Sequence, residues 1–157
     1  MEQLERYQFA HYINTTPSAN TENWVLEGVG VDALSIAYNP QVDQYRQIID
    51  KNSSANFQGY QIQSSISGKR IFKDDAMYEF LDTARRNAKS IETQYIEVDM
   101  AYETSSKYQA TKYDILIVIN EFLGENATIS YDIYFRGDPV QGMVSISNNT
   151  ITFEESQ

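Results

Sequence analysis

Between Trp24 and Arg86 the chain runs through an alternating strand, a polar insert opened by Tyr38-Asn-Pro40, a second alternating strand and one short amphipathic helix. That order of parts limits the fold more than any other feature. The first strand, Trp24 to Tyr38, sets Leu34, Ile36 and Tyr38 at period two, the spacing of a half-buried strand. The insert from Gln41 to Asn56 is too long for a tight hairpin turn, and connections beyond about a dozen residues without structure of their own tend to be functional or disordered in isolation. It reads as a long loop, an arm that meets a partner. Its polar residues (Asp43, Gln44, Arg46, Gln47, Asp50, Lys51 and Asn52) offer little to a core, whereas Val42, Tyr45, Ile48 and Ile49 offer anchors, with Tyr38 flanking its root.

The helix is expected over 75–89. Met77, Phe80, Leu81, Ala84 and Ala88 recur at spacings of three and four and so share one face. Asp74 or Asp75 caps the start, while Arg85, Arg86 and Lys89 suit the negative end of the helix dipole. Asp82 and Arg86 form an i,i+4 pair.

Past the helix the pattern is β. Ile91 to Glu103 alternates Ile96, Val98 and Met100 against Tyr95, Glu97 and Asp99, so one face is apolar and the other partly acidic. Tyr113 to Ile119 is apolar on both sides and reads as a central, doubly covered strand. A turn at Gly124-Glu-Asn126 leads into Ile129, Tyr131, Ile133 and Phe135, and Gly137-Asp-Pro139 reads as the next turn. Val144 with Ile146, and Ile151 with Phe153, make a last hairpin about Asn148-Asn149. Residues 1–22 show little period and are expected to form an arm, loose or ordered on assembly. One domain over 1–157 is the simplest organisation, large enough for a hydrophobic core.

Composition narrows the function. With 12 Lys+Arg against 22 Asp+Glu the net charge is -10, which disfavours phosphate-backbone binding, since that needs clustered cations. From the charge alone the simpler reading is that it keeps the chain soluble. Zero cysteines exclude disulfides and thiolate chemistry. Met1-Glu-Gln-Leu-Glu-Arg6 is too polar for a signal peptide, and no stretch approaches the roughly 20 apolar residues of a membrane span. The sequons at Asn14, Asn52, Asn126 and Asn148 are then ordinary polar turns. The 12 Tyr and 7 Phe suit strands and large contact surfaces.

Catalytic patterns are weak. His11, the only histidine, lies in the aperiodic N-terminal segment. Glu97 and Asp99 are neighbours on one strand face, more simply a solvated stripe than a facing pair of catalytic carboxylates. Gly28-Val-Gly30 lacks the strand-to-helix setting of a phosphate loop and reads as a bulge or a close backbone approach. No enzyme, metal site or cofactor is expected.

The strand end Ile36-Ala-Tyr-Asn-Pro40, the Gln44-to-Ser54 insert, the strand Tyr60 to Ile66, the block Phe72 to Arg86 and the late Gly137-Asp-Pro-Val140 together resemble the major tail (tail tube) proteins of long-tailed phages of Gram-positive hosts, and the tubes of related phage-tail-like particles. The resemblance covers Trp24 to the end. Where this chain has Phe72-Lys-Asp-Asp75, the family more often carries a glycine-containing turn. The resemblance implies a mainly β fold, a β-sandwich or half-barrel with one flanking helix. It implies subunits in stacked hexameric rings whose strands join around a lumen, with the insert reaching the adjacent ring. DNA would transit without specific binding during ejection. Partners would be further copies of the chain, tail tip and terminator proteins and the tape measure protein, in a virion tail assembled in the host cytoplasm. If the apolar face of the Ile91–Glu103 strand packs inward, Glu97 and Asp99 point the other way and are the candidates for the lumen wall. The alternative is a β-sandwich carbohydrate-binding or adhesion module, with Tyr and Trp stacking on sugars.

Overall fold

The computed structural model describes residues 8–28, 31–70, 75–148 and 150–157. The Phe72–Asp74 stretch, Asp74 as a cap, Val29-Gly30 and Asn149 fall outside them. The described elements are β1 (Phe9–Asn14), β2 (Trp24–Glu27), β3 (Val31–Ala37), β4 (Pro40–Tyr45), β5 (Ser54–Tyr60), β6 (Gln63–Arg70), α1 (Ala76–Arg86), β7 (Ile91–Thr104), β8 (Lys107–Leu123), β9 (Thr128–Ser147) and β10 (Thr150–Glu155). The fold is mainly β with one helix, sandwich-like rather than a closed barrel. Its main sheet is antiparallel in the order β2-β1-β7-β8-β9-β6-β3, with β10 also on β9, and β4-β5 stand apart as a two-stranded sheet.

The sheet buries both of its faces. Ile13, Tyr95, Ile115, Ile117, Ile129, Tyr131 and Ile133 form a first core, roofed by Met77 and Leu81 of α1. Ala10, Ile96, Val98, Ala110 and Val144 form a second, closed by Trp24 and Ile151. Along β7 the buried neighbours Tyr95 and Ile96 therefore belong to different cores. In β8, Ile115 and Ile117 are buried while Leu116 and Val118 are half-buried, so the strand is central but only partly covered on its second face.

The N-terminal segment is not a loose arm over residues 9–14. There it is β1, paired with β7 on one side and β2 on the other. Its Ile13 enters the first core and Ala10 the second, so the one-sided alternation that marks a half-buried strand never develops. Nor is Trp24 to Tyr38 one strand. It breaks at Gly28, whose φ of +135° suits glycine, and β2 and β3 end up on opposite edges of the sheet. The sheet curls enough to bring those ends together: Glu27 of β2 meets Lys69 of β6 at 3.3 Å and accepts the Tyr131 hydroxyl of β9.

Gly137-Asp-Pro139 is not a turn but lies inside β9. Lys112 pairs with Val140 and Asp114 with Arg136, which leaves three residues opposite Tyr113 as an irregular bulge. Gly137 takes the positive φ of +66°, and Pro139, with no N–H to give, is tolerated where the ladder is interrupted. The last hairpin forms as the alternation predicts, Val144 opposite Phe153 and Ile146 opposite Ile151.

In α1 the Asp75 carboxylate accepts the Met77 N–H at 3.0 Å, and Asp82 pairs with Arg86 at 2.9 Å. The helix ends at Arg86 rather than residue 89. Ala88 turns into the left-handed region (φ +51°), and the Ala88 and Lys89 N–H groups bond back to the Arg85 and Ala84 carbonyls, a Schellman closure. The buried face is Met77, Leu81 and Ala84, with Phe80 half-buried beside it and Ala88 exposed. Leu81→Ala is expected to cost about 2–5 kcal/mol in urea unfolding, and Phe80→Ala less. The reverse ranking would mean the helix is rotated about its axis.

Candidate assembly interface

The insert is a hairpin, not a structureless loop over 41–56. Asn39 adopts φ +44°, and its side-chain amide donates to the Gln61 carbonyl at 3.0 Å while the Gln61 N–H returns to the Asn39 carbonyl at 3.2 Å, tying the root. From there Pro40 pairs with Tyr60, Val42 with Phe57 and Tyr45 with Ser54, with a register shift after Gln41. At the tip the Asp50 carboxylate accepts the Gln47 N–H at 3.1 Å, and the Arg46 Nε–H donates to the Asp50 carbonyl at 2.9 Å. The tip is thus held by its own hydrogen bonds, without a core beneath it.

All of β4 and every residue of β5 but Gly59 are exposed. The sequence candidates Tyr38, Val42, Tyr45, Ile48 and Ile49 are all brought onto this one projection, Ile48 and Ile49 at 104% and 88% exposure. Phe57 and Tyr60 join them, and sequence reasoning missed both. The Phe57 and Tyr60 rings meet edge-on at 4.9 Å between centroids, and Tyr38 and Tyr60 at 5.9 Å. Lone exposed apolar side chains are ordinary, whereas these seven stand together on one projection as an apolar patch of the kind that binding surfaces carry. A free two-stranded hairpin is also marginal in water, so covering it adds stability.

Glu97 and Asp99 do not sit on an open stripe. They share the β7 face that carries Tyr95 into the first core, because the strand is packed on both sides. Glu97 lies opposite His11, 4.0 Å from its Nδ1, and that nitrogen also meets the Tyr95 hydroxyl. Burial raises the Glu97 pKa, with the Asp99 charge adding to it. Burial and then the Glu97 charge push Tyr113 up to about 12 and also raise Tyr38. The Glu97 charge is thus felt at Tyr38, at the hairpin root.

In the main sheet β2, β3 and β10 each pair on one side only among the described residues.

No family model matches the chain, and no curated protein matches it in sequence. Among solved structures its fold matches a chain in the cryo-EM structure of the anti-feeding prophage (AFP) baseplate, 6-fold symmetrised, with a TM-score of 0.52. The match covers 90% of this chain and 96% of that one at 12% identity, so what the two share is the fold.

Proposed function

We propose that this chain is a non-catalytic structural subunit of a phage tail or phage-tail-like particle, and that it builds the tail tube as stacked hexameric rings. The observation that carries the reading is the β4-β5 hairpin, a folded projection whose apolar side chains have no cover on their own chain. The fold shared with a chain of a 6-fold symmetrised baseplate supports it, as does the resemblance running from Trp24 to the C-terminal strands. Open edges at β2, β3 and β10 give a subunit the means to extend its sheet into a neighbour, which removes edges that would otherwise pair without control. Tail tip, terminator and tape measure proteins are the remaining partners. In a genome-carrying tail DNA passes through the lumen during ejection, and Glu97 and Asp99 belong to the wall that repels it. A bacteriocin-like particle would use the same tube without a genome.

The sugar-binding alternative loses its strongest residue, because Trp24 is buried at 8% exposure in the second core. Its exposed aromatic rings meet edge to face instead of forming a flat platform.

Negative-stain microscopy of the purified protein over a range of concentrations tests the proposal. Rings or tubes support it, and monomers under all conditions refute it.

A further inference from the structure

One side of α1 is incompletely covered. Beside it lies a groove of about 620 Å³ between the helix, the β1-β2 turn and the start of β7. Phe80, Ala84 and Ile91 line it as half-buried or buried side chains, and Glu79, Glu92 and Lys89 line it as exposed ones. We propose that this groove receives the hairpin tip of a second copy of the chain, with Ile48 and Ile49 entering between Phe80 and Ile91. The inference rests on the assembly reading above and names the site at which one copy holds the next.

Charge favours this occupant. Between Arg46 and Lys51 the tip carries two cations and one carboxylate, and that carboxylate is turned back onto the Gln47 N–H. A net positive tip stands out on a chain of net charge -10. The groove presents the Glu79 carboxylate beside Phe80 for that tip to meet. Among the described residues Lys51 and Glu79 make no ion pair, while Glu92 is held by Arg136 at 3.0 Å. Lys51 to Glu79 is thus the ion pair that docking would create. Knob and hole are different patches of one surface, so the contact is head to tail and repeats into a ring or a stack instead of closing as a two-fold dimer.

The absence of native cysteines makes the test clean. Ile49→Cys chains mixed with Thr83→Cys chains under mild oxidation are expected to form the mixed disulfide roughly tenfold above a mixture with Glu125→Cys on the β8-β9 turn, because docking raises the local thiol concentration. Lys51→Glu and Glu79→Lys should each weaken assembly, and the two together should restore it. If particles form but the mixed disulfide stays at the control level, or the charge swap does not restore assembly, the groove is not the receptor and the assembly reading stands. A dominant Ile49→Cys homodimer points to tip-to-tip pairing and likewise overturns the groove. If the unaltered chain never associates, the assembly reading fails and takes this inference with it.

Discussion

Replacing Lys69 with methionine is expected to destabilise the folded chain by about 3–5 kcal/mol at neutral pH, the usual consequence of leaving one partner of a buried ion pair uncompensated. Lys69 and Glu27 are 1% and 3% exposed, with Nζ and Oε2 3.3 Å apart. The Lys69 ammonium also lies 3.9 Å from Asp75, the residue that caps α1, so the pair ties β2 and β6 to the start of the helix. Burial raises the Glu27 pKa above its ordinary 4.5, more than Lys69 and the Tyr131 hydroxyl lower it. Removing the lysine takes away the larger of those lowering influences, and the value climbs further. A carboxyl whose folded pKa is raised contributes stability below its unfolded value and loses it as pH rises through the folded value. The penalty of Lys69→Met relative to the parent should therefore be smallest in acid and grow toward neutrality. Urea unfolding at several pH values measures it. A penalty independent of pH would show that Glu27 is not the group left stranded, and Glu27→Gln in the same chain should recover most of the loss.

Deleting Gln44 to Ser53 should abolish elongation while leaving a folded monomer. The segment contributes exposed residues and its own hairpin bonds, and little to either core. The milder Ile48→Asp, Ile49→Asp double substitution should have the same effect on assembly and shift unfolding by no more than about 0.5 kcal/mol, as expected of surface sites. Light scattering reports the first effect and urea unfolding the second. Normal tubes from either variant would remove the hairpin from the interface.

The helix was legible because its cap, its three-and-four spacing and its end charges all agree. The hairpin anchors were legible for the opposite reason: Val42, Tyr45, Ile48 and Ile49 are apolar residues among polar ones with no core to serve. What the alternation hid was the second core. Period-two reasoning assumes one buried face, and in β7 and β1 the buried face changes along the strand, so the alternation neither shows Glu97 half-buried opposite His11 nor marks residues 9–14 as a strand. Turn composition misled at Gly137-Asp-Pro139, since the residues that allow a turn also allow a bulge. Long-range packing left little trace in the sequence. Ala10, Val98, Ala110 and Gly142 lie in register across four strands, and a Cβ on Gly142 would come within 2.6 Å of the Phe153 ring. No local pattern marks that glycine as a place where β10 leaves no room for a side chain. Phe57 and Tyr60 escaped for a related reason: both lie past the Gln41–Asn56 insert, with Tyr60 read as opening the next strand, and only the pairing of Val42 with Phe57 and Pro40 with Tyr60 puts them on the projection.

Copies of this chain are proposed to join through the hairpin into rings. A cryo-EM reconstruction of the purified, concentrated protein shows whether they do. Six copies around an open lumen are expected, with Ile48 and Ile49 covered by a neighbouring copy. A chain that stays an 18.0 kDa monomer at every concentration, or an assembly in which the hairpins stand free in solvent, would contradict it.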